Sequence, residues 1–293
     1  MKYLTTTLLA TTALVAFVHA AQAQNLSYVG ILGQGINGTN DPGTGEGSMT
    51  ALGLEAGLVY ALNGQSRIVV EGRYLDWTSE DDTGAGNLLF DEPGTELEVA
   101  LHYLRDSGSL TYGAFLQVGA AESVENDPSE TYKHYAVGLE GTYRINPAYT
   151  VYGQIGIADT FDDDNLDSFG YNEGNFARLG AAYTGFANTQ LFLDVQAGSS
   201  ENYEDAGESG AFQRIALGGE TRFGSGSNWA ATYEISQAKY DAETDSNIVE
   251  VTTVGLGMRY YFGQTQSGDF MDAGAIGTPD IMSRASLFTD FLD

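Results

Sequence analysis

Apolar side chains recur at every second position along most of this chain, and turn-forming residues fall between the alternating stretches. From Met49 to Leu62 the even positions are Leu52, Leu54, Ala56, Leu58, Tyr60 and Leu62, opposite Ala51, Gly53, Glu55, Gly57, Val59 and Ala61. Thr95 to Arg105 divides in the same way, with Leu97, Val99, Leu101 and Tyr103 opposite Glu96, Glu98, Ala100 and His102. A period of two belongs to β-strands, whose successive side chains point to opposite faces. One face of each stretch suits an oily surrounding, and the other is small or charged. Followed along the chain, the pattern predicts strands at Leu26 to Gly35, Met49 to Leu62, Arg67 to Thr78, Thr95 to Arg105, Leu110 to Ala121 and Tyr132 to Ile145. Six more are predicted at Tyr149 to Asp159, Asn175 to Gly185, Leu191 to Gly198, Phe212 to Phe223, Asn228 to Tyr240 and Ile248 to Phe262.

The connectors alternate in length. Asn63-Gly64-Gln65-Ser66, Asp106-Ser107-Gly108-Ser109, Asn146-Pro147-Ala148, Ala187-Asn188-Thr189-Gln190 and Gly224-Ser225-Gly226-Ser227 are short turn sequences. Longer, acidic connectors lie between them at Glu80 to Gly94, Glu122 to Thr131, Thr160 to Gly174 and Ser199 to Gly210. Strands of this length can cross hydrocarbon, which takes roughly 9 to 11 tilted residues. Hydrocarbon offers no hydrogen-bond partner, so a sheet with a free edge cannot span it and must close. The expected fold is therefore all-β: a closed antiparallel transmembrane β-barrel of about twelve strands. Short turns and both chain ends fall on the periplasmic side, with the long loops outside. Tyr60, Tyr103, Tyr143, Tyr183 and Trp229 beside the short turns, and Trp77 and Tyr135 near the long loops, are expected at the membrane interfaces. A soluble β-sandwich also alternates, but it explains neither the loop asymmetry nor the aromatic girdles.

Composition sharpens this picture. Lys2, the apolar run from Leu8 to Val18 and the small-residue site Ala21-Gln22-Ala23 read as an export signal over residues 1–23, with Gln24 the first mature residue. The barrel is then expected over 24–263, and residues 264–293 form a tail. Cysteine is absent and proline scarce at 5, against 38 glycines, 18 tyrosines and 14 phenylalanines, so packing and backbone pairing must hold the chain. A mean hydropathy of -0.18 is compatible with a barrel, because its two faces average out. The net charge of -28 repels phosphate backbones and argues against a nucleic-acid partner.

The last predicted strand reads Val254-Gly255-Leu256-Gly257-Met258-Arg259-Tyr260-Tyr261-Phe262, apolar or aromatic at alternate positions up to a final Phe. It resembles the C-terminal assembly signal of Gram-negative outer-membrane barrels, and the stretch from Leu26 to Phe262 resembles the small-porin family in architecture. The resemblance implies a place in the outer membrane, with outer-membrane lipid and lipopolysaccharide as surroundings. It further implies recognition by the barrel assembly machinery through the strand ending at Phe262, and passive passage of small hydrophilic solutes or ions without cofactor or catalysis. One departure is the tail beyond Phe262. There Thr278 can cap a helix, Pro279 suits its first position, and Ile281, Ala285, Phe288 and Leu292 make one stripe; a disordered tail is the alternative.

Charge follows strand parity. Arg67, Arg73, Arg144, Arg178, Arg214, Arg222 and Arg259 take inward positions, as do Glu55, Glu71, Glu96, Glu98, Glu140, Asp194, Glu220 and Glu234, together with His102, His134 and Gln117. An Arg or Lys on the lipid face at the midplane would cost roughly 2 to 4 kcal/mol, so these residues are expected to line the lumen. Arg67, Arg144, Arg222 and Arg259 are expected as a basic ring near the periplasmic end, beneath an acidic waist of Glu55, Glu71, Glu140, Asp194 and Glu234. Such charges can form a selective constriction, or they can pair into a network that closes the lumen. Glycines at Gly53, Gly57, Gly113, Gly119, Gly138, Gly156 and Gly180 would leave room inside. His102 is expected to pair with Glu98 rather than to serve catalysis, since no serine partner is evident for either histidine. The acidic runs Glu80-Asp81-Asp82 and Asp162-Asp163-Asp164 lack an EF-hand order and suit a solvated, cation-gathering vestibule. Gly33-Gln34-Gly35-Ile36-Asn37-Gly38 matches a dinucleotide fingerprint in spelling only, because no helix follows it. The leading expectation is a cation-leaning diffusion channel, and the alternative is a closed structural or surface-interaction barrel.

Overall fold

The computed structural model describes residues 27–41, 46–79, 94–123, 131–161, 171–203, 209–224, 226–242 and 248–262. The expected export signal over residues 1–23, the tail over 264–293 and most of each long connector lie outside the described residues. Twelve strands form: β1 Ser27–Asp41, β2 Glu46–Asn63, β3 Ser66–Ser79, β4 Gly94–Ser107, β5 Leu110–Ser123 and β6 Thr131–Asn146, followed by β7 Tyr149–Thr160, β8 Tyr171–Phe186, β9 Thr189–Tyr203, β10 Gly210–Arg222, β11 Trp229–Ala242 and β12 Ile248–Phe262. Each pairs with its sequence neighbours, and β12 pairs with β1 to close the barrel. The closing register is unbroken from Ser27 opposite Phe262 to Asp41 opposite Ile248. Every pairing is antiparallel, so no strand edge is left unpaired. The glycine-rich stretch Gly33 to Gly38 lies within β1.

Asn and Gly set the short turns. The Asn63 side-chain oxygen accepts the Gln65 N–H at 2.9 Å, and Asn146 accepts from Ala148 and Tyr149 at 2.9 and 3.1 Å. Asn188 and Gly108 adopt φ of 62° and 68°, the left-handed region that these residue types tolerate. Ladder irregularities fall at these same rims, between Ala61 and Asn63, Arg144 and Asn146, and Tyr183 and Phe186.

Parity separates the two faces as the alternation predicts. Within the strands the exposed large hydrophobic side chains take outward positions, with Leu52 at 70% exposure, Leu256 at 65% and Leu179 at 64%. In water such a belt would be unfavourable, whereas covering one Leu or Ile with an apolar phase gains about 1.5 to 3 kcal/mol. At the short-turn end aromatic rings cluster outside: Tyr149 with Tyr183 at 4.8 Å, Trp229 with Tyr260 at 5.0 Å and Tyr260 with Phe262 at 5.1 Å. At the other end Tyr135 leans on Phe161 at 5.0 Å. Trp77 corrects the expected outer girdle. It shares odd parity with Arg67 and Arg73, points inward and is buried, and its indole N–H donates to Glu96 at 3.3 Å. Its position near a long loop suggested an interface, but parity decides the face.

Candidate functional site

The inward positions stack in three layers. At the short-turn end an apolar floor is made by Tyr28, Val59, Val69, Leu104, Ala230 and Tyr261. Toward the long loops an apolar collar gathers Ile36, Met49, Leu75, Trp77, Phe212, Tyr240, Val249 and Val251. A polar belt runs between them.

That belt is connected from strand to strand. His102 on β4 contacts Glu140 on β6 through Nδ1 at 2.8 Å, and its Nε2 lies 3.4 Å from Glu71 on β3. Gln154 donates to Glu140 at 3.2 Å, and Arg178 donates to Gln154 at 3.4 Å and to Asp194 at 2.7 Å. Tyr152 also donates to Asp194, at 3.1 Å. Arg214 then joins Asp194 at 3.7 Å to Glu234 at 2.5 Å. Glu71 through Glu234 thus spans the wall from β3 to β11 as one polar chain. Beside it Arg73 donates to Glu96 at 3.0 Å and to Glu98 at 2.6 Å, and Gln117 donates to Glu98 at 3.0 Å. His134 has its Nε2 3.7 Å from Glu98.

The barrel seam has its own clamp. Arg259 of β12, Gly30 of β1 and Glu55 of β2 lie in register. Arg259 reaches across β1 to bind Glu55 with two hydrogen bonds of 2.7 Å, and its guanidinium covers the Tyr28 ring at 4.4 Å. Glycine is required beneath this pair, since a Cβ at Gly30 would come within 2.7 Å of the Glu55 carboxylate. Arg259 also lies 3.5 Å from Glu220, which accepts from the Tyr261 hydroxyl. Arg222 stacks on Tyr261 at 4.8 Å, Arg67 pairs with Asp106, and Arg144 is exposed at the short-turn rim.

The eighteen residues expected at the lumen keep the inward parity of their strands, with Arg144 at the exposed rim, but their arrangement differs from the expectation in three respects. The basic ring beneath an acidic waist is not formed: Arg67 and Arg259 each meet carboxylates at their own level. Separate rings would leave like charges side by side in a low-dielectric interior, where pairing is the stable solution. His102 pairs with Glu140 and Glu71, not with Glu98, which Arg73 and Gln117 occupy. Several inward glycines do not leave room. Rings on neighbouring strands lie over Gly57, Gly138, Gly156 and Gly180, occupied by Tyr28, Phe115, Phe176 and Tyr152, and Phe192 covers Gly218 in the same way. Sequence reasoning also missed Gln154, Tyr152 and Tyr261 as belt and floor members, although inward parity marked all three.

A closed antiparallel barrel with an apolar exterior and a charged, hydrogen-bonded interior belongs to the class of transmembrane β-barrels. The first of three comparisons with solved structures supports that fold. The COG4313 outer membrane channel from Pseudomonas putida F1 matches with a TM-score of 0.57 and 12% identity, over 83% of this chain and 97% of that one. The CymD monoaromatic hydrocarbon channel matches with a TM-score of 0.49 and 10% identity, over 83% and 90%. The KdgM porin in complex with disordered oligogalacturonate matches with a TM-score of 0.45 and 10% identity, over 79% and 99%. No protein-family model and no curated protein sequence matches the chain. The protein has the twelve-strand fold of outer-membrane barrels.

Proposed function

We propose that the protein sits in an outer membrane as a narrow channel for small hydrophilic solutes or ions, with a preference for cations. The observation that carries this reading is a lumen wall that is polar from β3 to β11 and negative in balance. Among the described residues nine carboxylates face inward, namely Glu55, Glu71, Glu96, Glu98, Asp106, Glu140, Asp194, Glu220 and Glu234. Seven guanidiniums face them, those of Arg67, Arg73, Arg144, Arg178, Arg214, Arg222 and Arg259, so carboxylates outnumber guanidiniums by two. A polar interior with surplus carboxylate favours cations, and the acidic connectors would enrich them at the outer mouth. The outer-membrane channel from Pseudomonas putida F1 supports the architecture. The export signal, contact with lipopolysaccharide and delivery through an assembly machinery reading Phe262 belong to the same proposal.

A second reading has its own observation. His102, Gln117, Gln154 and Asp194 are almost fully buried inside the barrel, as a structural plug would be. Conductance separates the two. Purified, folded protein in planar bilayers should give stable steps whose reversal potential under a salt gradient is that of a cation-selective pore. Persistently silent membranes, with the protein shown to be inserted, would remove the channel reading and favour the closed barrel.

A further inference from the structure

The inward face is not equally covered around the barrel. On β4 the inward positions from Gly94 to Leu104 are all buried, including Glu96, Glu98 and His102. On β12 the inward positions Thr253, Gly255, Gly257 and Arg259 are each partly exposed, between buried Val251 above and buried Tyr261 below. The neighbouring strands agree, with Thr232 and Glu234 of β11 and Gln34 of β1 also partly exposed. An inward side chain that is exposed must border open space within the lumen.

Gly255 marks the middle of that space. It lies opposite Gln34 on one side and Glu234 on the other. A Cβ there would meet only Gln34 Cγ at 3.8 Å and Glu234 Cβ at 3.9 Å, both ordinary contacts. Gly57, Gly138, Gly156, Gly180 and Gly218, by contrast, are each covered by a ring. Glu234 also differs from the other carboxylates of the belt. Its side chain is 35% exposed, against 13% for Glu220, 12% for Glu71, 11% for Glu55, and almost nothing for Glu140 and Asp194.

From these observations we infer that the route through the lumen is eccentric, following the β11–β12–β1 wall, and that Glu234 is its selectivity-determining residue. This deepens the channel reading and rests on it. A permeating cation meets a water-facing carboxylate at Glu234, flanked by the Gln34 amide and the Thr232 and Thr253 hydroxyls. Glu140 and Asp194 are engaged by His102, Gln154, Arg178 and Tyr152 and shape the wall without touching the solute. Arg214 holds Glu234 in place from β10 and tempers its charge.

The chain has no cysteine, so single cysteines can map the lumen without background. In the full-length protein reconstituted in vesicles, Thr253→Cys and Thr232→Cys should react with a small cationic thiol reagent at least about tenfold faster than Ala100→Cys or Ala136→Cys, because packing shields the latter pair. In planar bilayers Glu234→Gln should move the cation-to-anion permeability ratio toward unity, while Glu234→Asp should leave it near the parent value and Glu140→Gln should move it far less than Glu234→Gln. Gly255→Met should lower single-channel conductance. Equal labelling of both walls in a conducting protein would overturn the eccentric route and leave the channel reading standing, as would a permeability ratio that follows Glu140 rather than Glu234. Silent bilayers would remove the channel reading, and the selectivity role with it, whatever the labelling pattern.

Discussion

Inside this barrel five Tyr and Phe rings lie over neighbours with no side chain. Tyr152 lies over Gly180 so closely that a Cβ there would sit 2.3 Å from the ring, so Gly180→Ala must displace the tyrosine or bend β8. Overpacking of this kind costs about 1 to 3 kcal/mol. Gly35, with nothing within 4 Å of its Cβ position, is the control. Urea unfolding followed by gel mobility should give a clearly lower midpoint for Gly180→Ala than for Gly35→Ala; equal midpoints would show that the ring-over-glycine contact does not matter. A larger loss is expected at Glu140→Ala, which strips His102 and Gln154 of a shared acceptor: breaking a buried charged pair costs about 3 to 5 kcal/mol. Glu140→Gln keeps an acceptor oxygen and should lose less by the same assay. At this scale the face of a residue was legible from strand parity alone, as the buried Glu140 and Asp194 show. Their partners were not legible. His102 finds Glu140 two strands away rather than Glu98 beside it, because Arg73 and Gln117 occupy the two carboxylate oxygens of Glu98 from either flank. No linear spacing carries that competition.

Element boundaries show a similar division. The alternation located all twelve strands, yet several run beyond its reach, as when Leu191 to Gly198 proved to be the middle of β9 Thr189–Tyr203. Apolar alternation records only the part of a strand that faces an oily belt, while the ladder continues into water, where Ser and Asn serve equally well. The seam is the element-level feature with the most direct test. Arg259 and Glu55 bridge β12 to β2 over a bare Gly30, so the closing register depends on a pair that belongs to neither closing partner alone. Arg259→Ala should lower the temperature at which folded and unfolded forms interchange on gels. Combining Glu55→Arg with Arg259→Glu should recover part of that loss. A double exchange no better than either single change would mean that the charge pairing contributes nothing to closure.

For the molecule as a whole, two apolar layers with a charged belt between them imply a barrel that resists free flow of water and ions. The collar is the upper barrier, and Trp77 is its largest side chain. Trp77→Ala should widen the constriction and raise single-channel conductance, although it also releases a hydrogen bond to Glu96; an unchanged or smaller conductance would place the limiting barrier at the floor instead. The seam has a consequence in time as well as in space. The guanidinium and carboxylate that fasten it are 204 positions apart in the chain, and contacts so distant form late because the intervening polypeptide must first be gathered up. A copy cut short before its final strand has no smaller cylinder to settle for, and its two raw margins invite clumping. Maturation should therefore resemble the fastening of a hoop, with protease resistance gained abruptly as the last segment docks rather than hairpin by hairpin.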